Sequence, residues 1–152
     1  MNNNVKFDKT VLPYLGKTAK LAGYYFMDTF HENGIDLSKE QWIVLKKLND
    51  KDGQSQNDLA FITNRSKTSL TRLINTMEKK GLVFRALSKE DKRINHINLS
   101  VLGKKTFLSS LPVLKTLMGE LQENISPKNL ATTIKVLDQI QNNINKKLNF
   151  IK

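Results

Sequence analysis

The stretch from Ser66 to Gly81 constrains the fold of this chain more than any other segment. Its apolar side chains recur at the i, i+3, i+4 and i+7 positions of one helix face: Leu70, Leu73, Ile74 and Met77. Ser66 can cap the N-terminus of such a helix, and Gly81 can take the left-handed conformation that follows a last turn. After Gly81, two short strand-like runs, 82–87 and 94–99, flank a polar stretch. We therefore predict a helix followed by a two-stranded β-hairpin.

Patterns on either side of this unit predict further helices. Residues 8–31 carry one amphipathic stripe, formed by Leu15, Ala19, Ala22, Phe26 and Phe30. Serines precede each of the next helical stretches and can cap them: Ser38, Ser55, Ser100 and Ser126. Pro112 lies inside the helix predicted after Ser100, and it predicts a kink or a break there.

The element order predicts a mainly α fold with a small β-wing. The short helix capped at Ser55, a tight turn near Asn64 and the longer helix capped at Ser66 form a helix-turn-helix, whose second helix can enter the major groove of DNA. We place this winged helix-turn-helix module at residues 37–99. Helical arms at 8–33 and 101–149 flank the module and are expected to mediate dimerisation.

The side of the 66–80 helix opposite its apolar stripe is polar and basic. Candidate DNA contacts on and beside this face are Ser66, Lys67, Thr68, Ser69, Thr71, Arg72 and Asn75. The first acidic residue of the helix, Glu78, comes near its C-terminal end. All four arginines of the chain lie between Arg65 and Arg93, and arginine suits bidentate contacts to phosphate or guanine. The alternative is an ordinary solvated polar face.

The tip of the hairpin adds a second basic cluster. Lys89, Asp91, Lys92 and Arg93 lie in the polar stretch between the two strand-like runs. Arg93 can reach the minor groove, where narrow A·T-rich segments attract arginine. Asp91 can pair with the Arg93 guanidinium and orient it.

The last predicted helix carries a narrow apolar seam typical of helix association. The seam consists of Leu130, Ile134, Leu137, Ile140, Ile144 and Leu148. Because the compact module cannot bury both arms, we expect the arms to pack on each other and on a second copy of the chain. The residues predicted for this dimer interface are Leu15, Leu137, Ile140, Ile144 and Leu148.

Composition excludes several other classes. With 39% hydrophobic and 26% charged residues the chain of 152 residues is globular, and it contains no cysteine for disulfides, thiolate chemistry or redox sensing. The sequence has no G-x-S-x-G, H-E-x-x-H or Gly-rich phosphate loop, and its only histidines are His31 and His96. We therefore predict neither an enzyme nor a metal or cofactor. No apolar run is long enough for a membrane span, so we expect a cytoplasmic protein.

Three segments of this sequence resemble the MarR family of bacterial winged-helix regulators, and the similarity in length and element order extends over nearly the whole chain. The segments are 37–45 (LSKEQWIVL), 70–83 with its ending EKKGLV, and Asp91-Lys92-Arg93 followed by Leu99-Ser100 and Leu102-Gly103. The resemblance implies major-groove contacts by Thr68, Ser69, Arg72 and Asn75, with Arg93 in the minor groove and Asp91 orienting it. It also implies a homodimer that binds a pseudo-palindromic operator. We expect a repressor, with an activator as the alternative.

The family commonly responds to small ligands, and this chain resembles it with one departure. Members that sense oxidants use cysteine, which is absent here, so thiol sensing is not expected. A small anionic or aromatic effector stays open, and Tyr24, Tyr25 and Trp42 are the candidate pocket residues. Aromatic residues at helical spacing also fill cores and interfaces, which is the alternative for these three.

A second class of function also fits a winged helix-turn-helix. Such a module can dock on protein, or it can bind DNA without choosing a sequence. Protein-docking wings tend to be apolar, whereas this helix face and hairpin tip are polar and basic. The residues therefore favour a sequence-specific DNA-binding regulator.

Overall fold

The computed structural model describes residues 6–91 and 93–148, which form helices and one small antiparallel sheet. A 3-10 turn at Phe7–Lys9 precedes α1 (Val11–Glu32), α2 (Lys39–Asp50), β1 (Gln54–Ser55), α3 (Gln56–Ile62), α4 (Lys67–Lys79), β2 (Val83–Leu87), β3 (Asn95–Leu99), α5 (Val101–Leu121) and α6 (Pro127–Leu148). The predicted mainly α fold with a winged helix-turn-helix is confirmed. Within the described ranges, no helix has the length and apolar character needed to cross a membrane.

The predicted serine caps are present at the start of every helix from α2 onward. Each serine hydroxyl accepts a hydrogen bond from a backbone N–H in the first turn: Ser38 from Gln41, Ser55 from Asp58, Ser66 from Ser69, Ser100 from Gly103 and Ser126 from Asn129. At α2 the Gln41 carboxamide oxygen also accepts from the Ser38 N–H at 3.1 Å, which completes a capping box. Local sequence therefore determines where these helices begin.

The buried core lies beneath α4. The apolar face of α4 consists of Leu70, Ile74 and Met77, and these side chains have no solvent exposure. Other fully buried side chains of the first 114 residues include Phe30 of α1, Val44, Leu45 and Leu48 of α2, Leu59 of α3 and Ile97 of β3. Leu73, predicted on the same stripe, is only half-buried. Burial of one face of α4 leaves the opposite face towards solvent.

A tight turn separates α3 from α4. Asn64 adopts a φ of 51°, and the N–H of Arg65 donates to the carbonyl of Ala60 at 2.8 Å. Asparagine tolerates this left-handed conformation better than most residues. At the other end of α4, Gly81 has a φ of 70°, as its position in the sequence predicted.

The sheet has three strands, whereas the sequence predicted two. The strand order is β1-β3-β2, all antiparallel, and Gln54 and Ser55 of β1 pair with Ile97 and His96. β1 contains only two residues, which is too short to show a strand period, so the prediction missed it. The β2–β3 hairpin itself is confirmed, with Val83 opposite Leu99 and Leu87 opposite Asn95.

Pro112 does not interrupt α5. The helix continues from Val101 to Leu121 with the proline inside it, so a break is wrong, while the alternative of a kink stays a prediction. Proline removes one backbone hydrogen bond, and the other turns of a helix of 21 residues keep theirs.

The described residues divide into two compact units, and the boundary falls within α5. The first extends to Leu114 and contains the helix-turn-helix and the wing, and the second begins at Lys115. Within the second unit α6 has no buried residue. The predicted division into a module at 37–99 and arms at 8–33 and 101–149 is a functional one, and it stays a prediction.

Candidate nucleic-acid interface

The side of α4 that faces away from the core is open to solvent. The exposed residues at its start and along this side are Ser66, Lys67, Thr68, Arg72, Asn75, Thr76 and Lys79, while Ser69 and Thr71 are half-buried. No acidic residue lies in the first turn of the helix. The exposed side chains carry hydrogen-bond donors and positive charge, which match phosphate oxygens and the acceptor atoms of bases.

Hydrogen bonds within the protein engage the hydroxyl groups of Ser69 and Thr71, two of the predicted contact residues. The Ser69 hydroxyl accepts from Nη1 of Arg65 at 2.9 Å. The Thr71 hydroxyl donates to the Lys67 carbonyl at 2.8 Å and accepts from Nε2 of Gln56 at 2.6 Å. Because the single proton of Thr71 is used, this hydroxyl cannot donate to a base without breaking a bond inside α4.

Thr68 and Arg72 differ from these two residues. Within residues 6–91 and 93–148, neither the Thr68 hydroxyl nor the Arg72 guanidinium has a hydrogen-bond partner. Both side chains are exposed near the N-terminal half of α4. They can therefore bind an external ligand without losing an existing contact.

Arg85 of β2 connects the wing to α4 and α3, a role that the sequence analysis did not assign. Its Nη1 pairs with the Glu78 carboxylate, its Nη2 donates to Oδ1 of Asn75 at 2.9 Å, and its Nε donates to Oε1 of Gln56 at 3.4 Å. The Arg85 N–H also donates to Glu78 at 3.0 Å. Three of these contacts hold the hairpin against α4, and the fourth holds it against α3.

A signal for Arg85 was present in the strand pattern. Side chains alternate between the two faces of a strand, so Arg85 shares a face with Val83, which is buried against the helices. Its cross-strand neighbour Ile97 is also buried. A basic residue on the inner face of an otherwise apolar pair predicts a buried or half-buried ionic partner.

The tip of the wing is closed by short-range hydrogen bonds. Ser88 N–H donates to the Ile94 carbonyl at 2.9 Å, and the Ser88 hydroxyl accepts from the N–H groups of Glu90 and Asp91 at 3.2 Å each. Oδ1 of Asp91 accepts from the Arg93 N–H at 2.9 Å and lies 3.5 Å from its Nε. The Asp91–Arg93 pairing is therefore present, with the Arg93 side chain 92% exposed. Lys89 is exposed, and Lys92 lies outside the described residues.

The three aromatic residues predicted to form a pocket do not come together. Tyr24 and Tyr25 border an open depression on α1 together with Leu21, Met27, Asp28 and His31. Trp42 does not line it: its Nε1 donates to the Ser110 hydroxyl at 2.8 Å, and its ring lies 5.6 Å from that of Phe107. Trp42 therefore joins α2 to α5.

The predicted dimer-interface residues are unevenly exposed. In the first unit Leu15 is half-buried. In the second unit Leu137 and Ile140 are half-buried, while Ile144 and Leu148 of α6 are 48% and 56% exposed. Ile144 and Leu148 lie one turn apart and leave apolar surface exposed on α6. Their assignment to a dimer interface stays a prediction.

No metal site is found in the part of the chain that the structure describes, because its histidine, aspartate and glutamate side chains form no group of three.

Three comparisons relate this chain to known proteins. Residues 37–94 match the model of the MarR family. The uncharacterized HTH-type transcriptional regulator YdgJ of Bacillus subtilis is 33% identical over 112 residues, which cover 74% of this chain and 67% of that protein.

Solved structures share the fold at lower identity. S. aureus MepR, in a complex with DNA, has a TM-score of 0.81 at 20% identity, covering 88% of this chain and 98% of that one. The DNA binding of Bordetella bronchiseptica BpsR is regulated by 6-hydroxynicotinic acid. This structure also has a TM-score of 0.81, at 17% identity, covering 89% of this chain and 95% of that one.

Proposed function

Because this chain belongs to the MarR family, whose members are DNA-binding transcriptional regulators and not enzymes, we propose that it is a homodimeric repressor of a pseudo-palindromic operator. Each subunit places α4 in a major groove and the tip of the β2–β3 hairpin in the adjacent minor groove. The observation that carries this proposal is the exposure of the polar side of α4 while its apolar side is fully buried.

The charge and hydrogen bonding of this surface support the assignment of roles. Arg72 and Thr68 are exposed and uncommitted within the described ranges, so they are the first candidates for base contacts. Ser66, Lys67 and Ser69 surround the N-terminus of α4, whose partial positive charge favours phosphate. Lys89 and Arg93 supply the wing contacts, and Asp91 orients Arg93. We also include Lys92 on the basis of the sequence.

The helical repeat of duplex DNA also supports dimerisation. One α4 helix reads only a few base pairs, and two helices on one face of the duplex must be about one helical turn apart. The apolar residues that the two arms leave exposed, Ile144 and Leu148 among them, supply the contact between copies.

Selection of bound duplexes from a random pool tests this function. We expect enriched sequences with two inverted half-sites whose centres lie about 10 base pairs apart, bound by two chains per duplex. Uniform affinity that falls steeply with salt would indicate sequence-independent binding. Failure to bind duplex DNA at all would favour the protein-docking alternative.

We further propose that a small aromatic or anionic ligand relieves repression. The Tyr24–Tyr25 depression offers ring faces beside His31, and the regulation of BpsR by 6-hydroxynicotinic acid gives a precedent in a protein of the same fold. Titration of the operator complex with 6-hydroxynicotinic acid and with salicylate tests the proposal. We expect release of DNA by an aromatic acid, and a weaker response after Tyr24→Ala and Tyr25→Ala.

A further inference from the structure

Asn75 presents a carboxamide whose orientation is decided by its neighbour. Nη2 of Arg85 donates to Oδ1 of Asn75 at 2.9 Å. A guanidinium has five donors and no acceptor, so the group of Asn75 that faces it must be the oxygen. The Nδ2 amide of Asn75 therefore points away from Arg85, on a residue that is exposed on the polar side of α4.

Arg85 itself has little freedom to release this oxygen. It is 21% exposed, and its partner Glu78 is 31% exposed. Arg85 also donates from Nε to Gln56, and its backbone N–H is bound by the same Glu78 carboxylate. Because the guanidinium is anchored on two other sides, rotating Asn75 costs a charge-assisted hydrogen bond that Arg85 cannot readily replace.

The bases differ in what such a side chain can recognise. In the major groove adenine presents N7 as an acceptor beside the N6 amino donor, and a bidentate asparagine needs both its nitrogen and its oxygen outward. Guanine presents two adjacent acceptors, N7 and O6. An asparagine whose oxygen is held inward offers two N–H donors, which match guanine and not adenine.

We propose that Arg85 is a positioning residue that makes Asn75 a donor-only reader and so selects guanine over adenine at the base it faces. This inference rests on the proposed function, because it requires α4 to lie in the major groove. The inference also gives Arg85, Glu78 and Gln56 a role in base specificity, although none of them needs to contact DNA.

The test uses the whole chain of 152 residues and an operator obtained by the selection described above. The Asn75→Ala variant identifies the base pair that Asn75 reads, as the position whose preference disappears. Four duplexes that differ only at this base pair are then titrated at one salt concentration. For the unsubstituted protein we expect guanine to bind more tightly than adenine by about fivefold or more. Replacing that guanine by 7-deazaguanine, which lacks the N7 acceptor, should weaken binding by the unsubstituted protein. The affinity of the Asn75→Ala variant should not change.

The decisive variant removes the guanidinium without leaving a buried unpaired charge. Arg85→Met alone would strand the Glu78 carboxylate, so the double variant Arg85→Met, Glu78→Gln is used, in which the carboxamide introduced at position 78 can still accept from the backbone N–H of residue 85. We expect the guanine-to-adenine ratio to fall to about one or to invert, because the Asn75 carboxamide can now turn. A ratio of affinities measured on one preparation does not depend on the fraction of folded protein.

Lys46→Met is the matched control. It also replaces a cation by methionine and breaks an ion pair, with Asp50, but this pair lies within α2 and is absent from the α4 network. We expect its guanine-to-adenine ratio to equal that of the unsubstituted protein. A change of the same size in Lys46→Met would overturn the role of Arg85.

The remaining outcomes separate this inference from the proposed function. A preference for adenine at the Asn75 position, or an unchanged ratio in the double variant, overturns the inference while operator binding stands. If Asn75→Ala removes no preference at all, Asn75 does not read a base and the inference is again overturned. If the pool selection enriches nothing, the proposed function fails together with it.

Discussion

The polar side chains of α4 divide into two groups by their hydrogen bonding within the protein. Ser69 and Thr71 have partners in the same chain, whereas the exposed Arg72 has none among the described residues. The Thr71 hydroxyl already donates its only proton, so it must break that bond before it can donate to a base, which costs free energy. We therefore expect the contribution to base discrimination to be largest at Arg72 and small at Thr71.

Replacing Arg72 by alanine should reduce discrimination between bases. If its guanidinium binds a base edge, Arg72→Ala loses about 1–3 kcal/mol on the operator and much less on a scrambled duplex. Binding curves on both duplexes at fixed salt measure the difference. Arg72→Lys serves as the control that keeps the charge and removes the bidentate fork. Equal losses on both duplexes would leave Arg72 with a phosphate contact only.

Arg93 should act through the width of the minor groove. Its side chain is 92% exposed at the tip of the wing, where Asp91 holds the backbone of the loop. Narrow A·T-rich grooves concentrate negative potential and attract arginine. We expect Arg93→Ala to weaken binding more on operators with A·T-rich flanks than on operators with G·C-rich flanks. Equal weakening on the two sets would falsify minor-groove insertion.

At the scale of elements, the start of α5 fixes the wing against the helices. The Ser100 hydroxyl donates to the Gly81 carbonyl at 2.6 Å, and the Ser100 N–H donates to the Leu82 carbonyl at 3.1 Å. Gly103 packs directly on this connection, because a Cβ built at Gly103 would overlap the carbonyl of Leu82. The absence of a side chain at residue 103 lets α5 approach the backbone that leads into β2.

Gly103→Ala should therefore destabilise the protein although it improves helix propensity. Forcing a methyl group into a packed backbone contact costs about 1–3 kcal/mol or more. Gly119→Ala, in the same helix, is the control: a Cβ at Gly119 meets nothing within 4 Å, so it should be neutral or stabilise by up to about 1 kcal/mol. Urea unfolding of both variants measures the free energies. An unaffected Gly103→Ala variant would contradict this account of the α5 contact.

For the whole molecule, two helices retain large exposed apolar surfaces. On α1 the exposed side chains include Leu12, Tyr14, Leu21 and Tyr24, and on α6 they include Ile134, Ile144 and Leu148. Monomeric proteins rarely leave such rows in water. Coverage by a second copy would place two α4 helices on one duplex, and it would make DNA affinity depend on assembly.

The double substitution Ile144→Asp, Leu148→Asp should give a monomer with weak operator binding. Two carboxylates in an apolar contact must be desolvated without partners, which opposes association. The control is a second double substitution, Gln139→Asp, Asn142→Asp. It adds the same charge at exposed positions on the other side of α6 and should leave the dimer intact. Sedimentation and operator titration measure both pairs. A dimer that survives the first pair would place the interface elsewhere.

The sequence alone determined the features that depend on neighbours within about four residues. Helical periodicity, the serine caps and Gly81 predicted α1 to α6 and the turn into the wing, because these signals act within one or two helical turns. Charge and residue type also indicated the polar face of α4 and the Asp91–Arg93 pair. Within each of these two features, the residues lie close together in the chain.

Only the tertiary structure decided the contacts that join distant segments. The pairing of β1 with β3, the Trp42–Ser110 hydrogen bond and the position of Arg85 between Asn75, Glu78 and Gln56 are of this kind. Each depends on which faces meet when the core packs, and a two-residue strand or a single polar side chain has no local period that would reveal its partner. The direction of one carboxamide on α4 was thus decided by an arginine ten residues away on a strand.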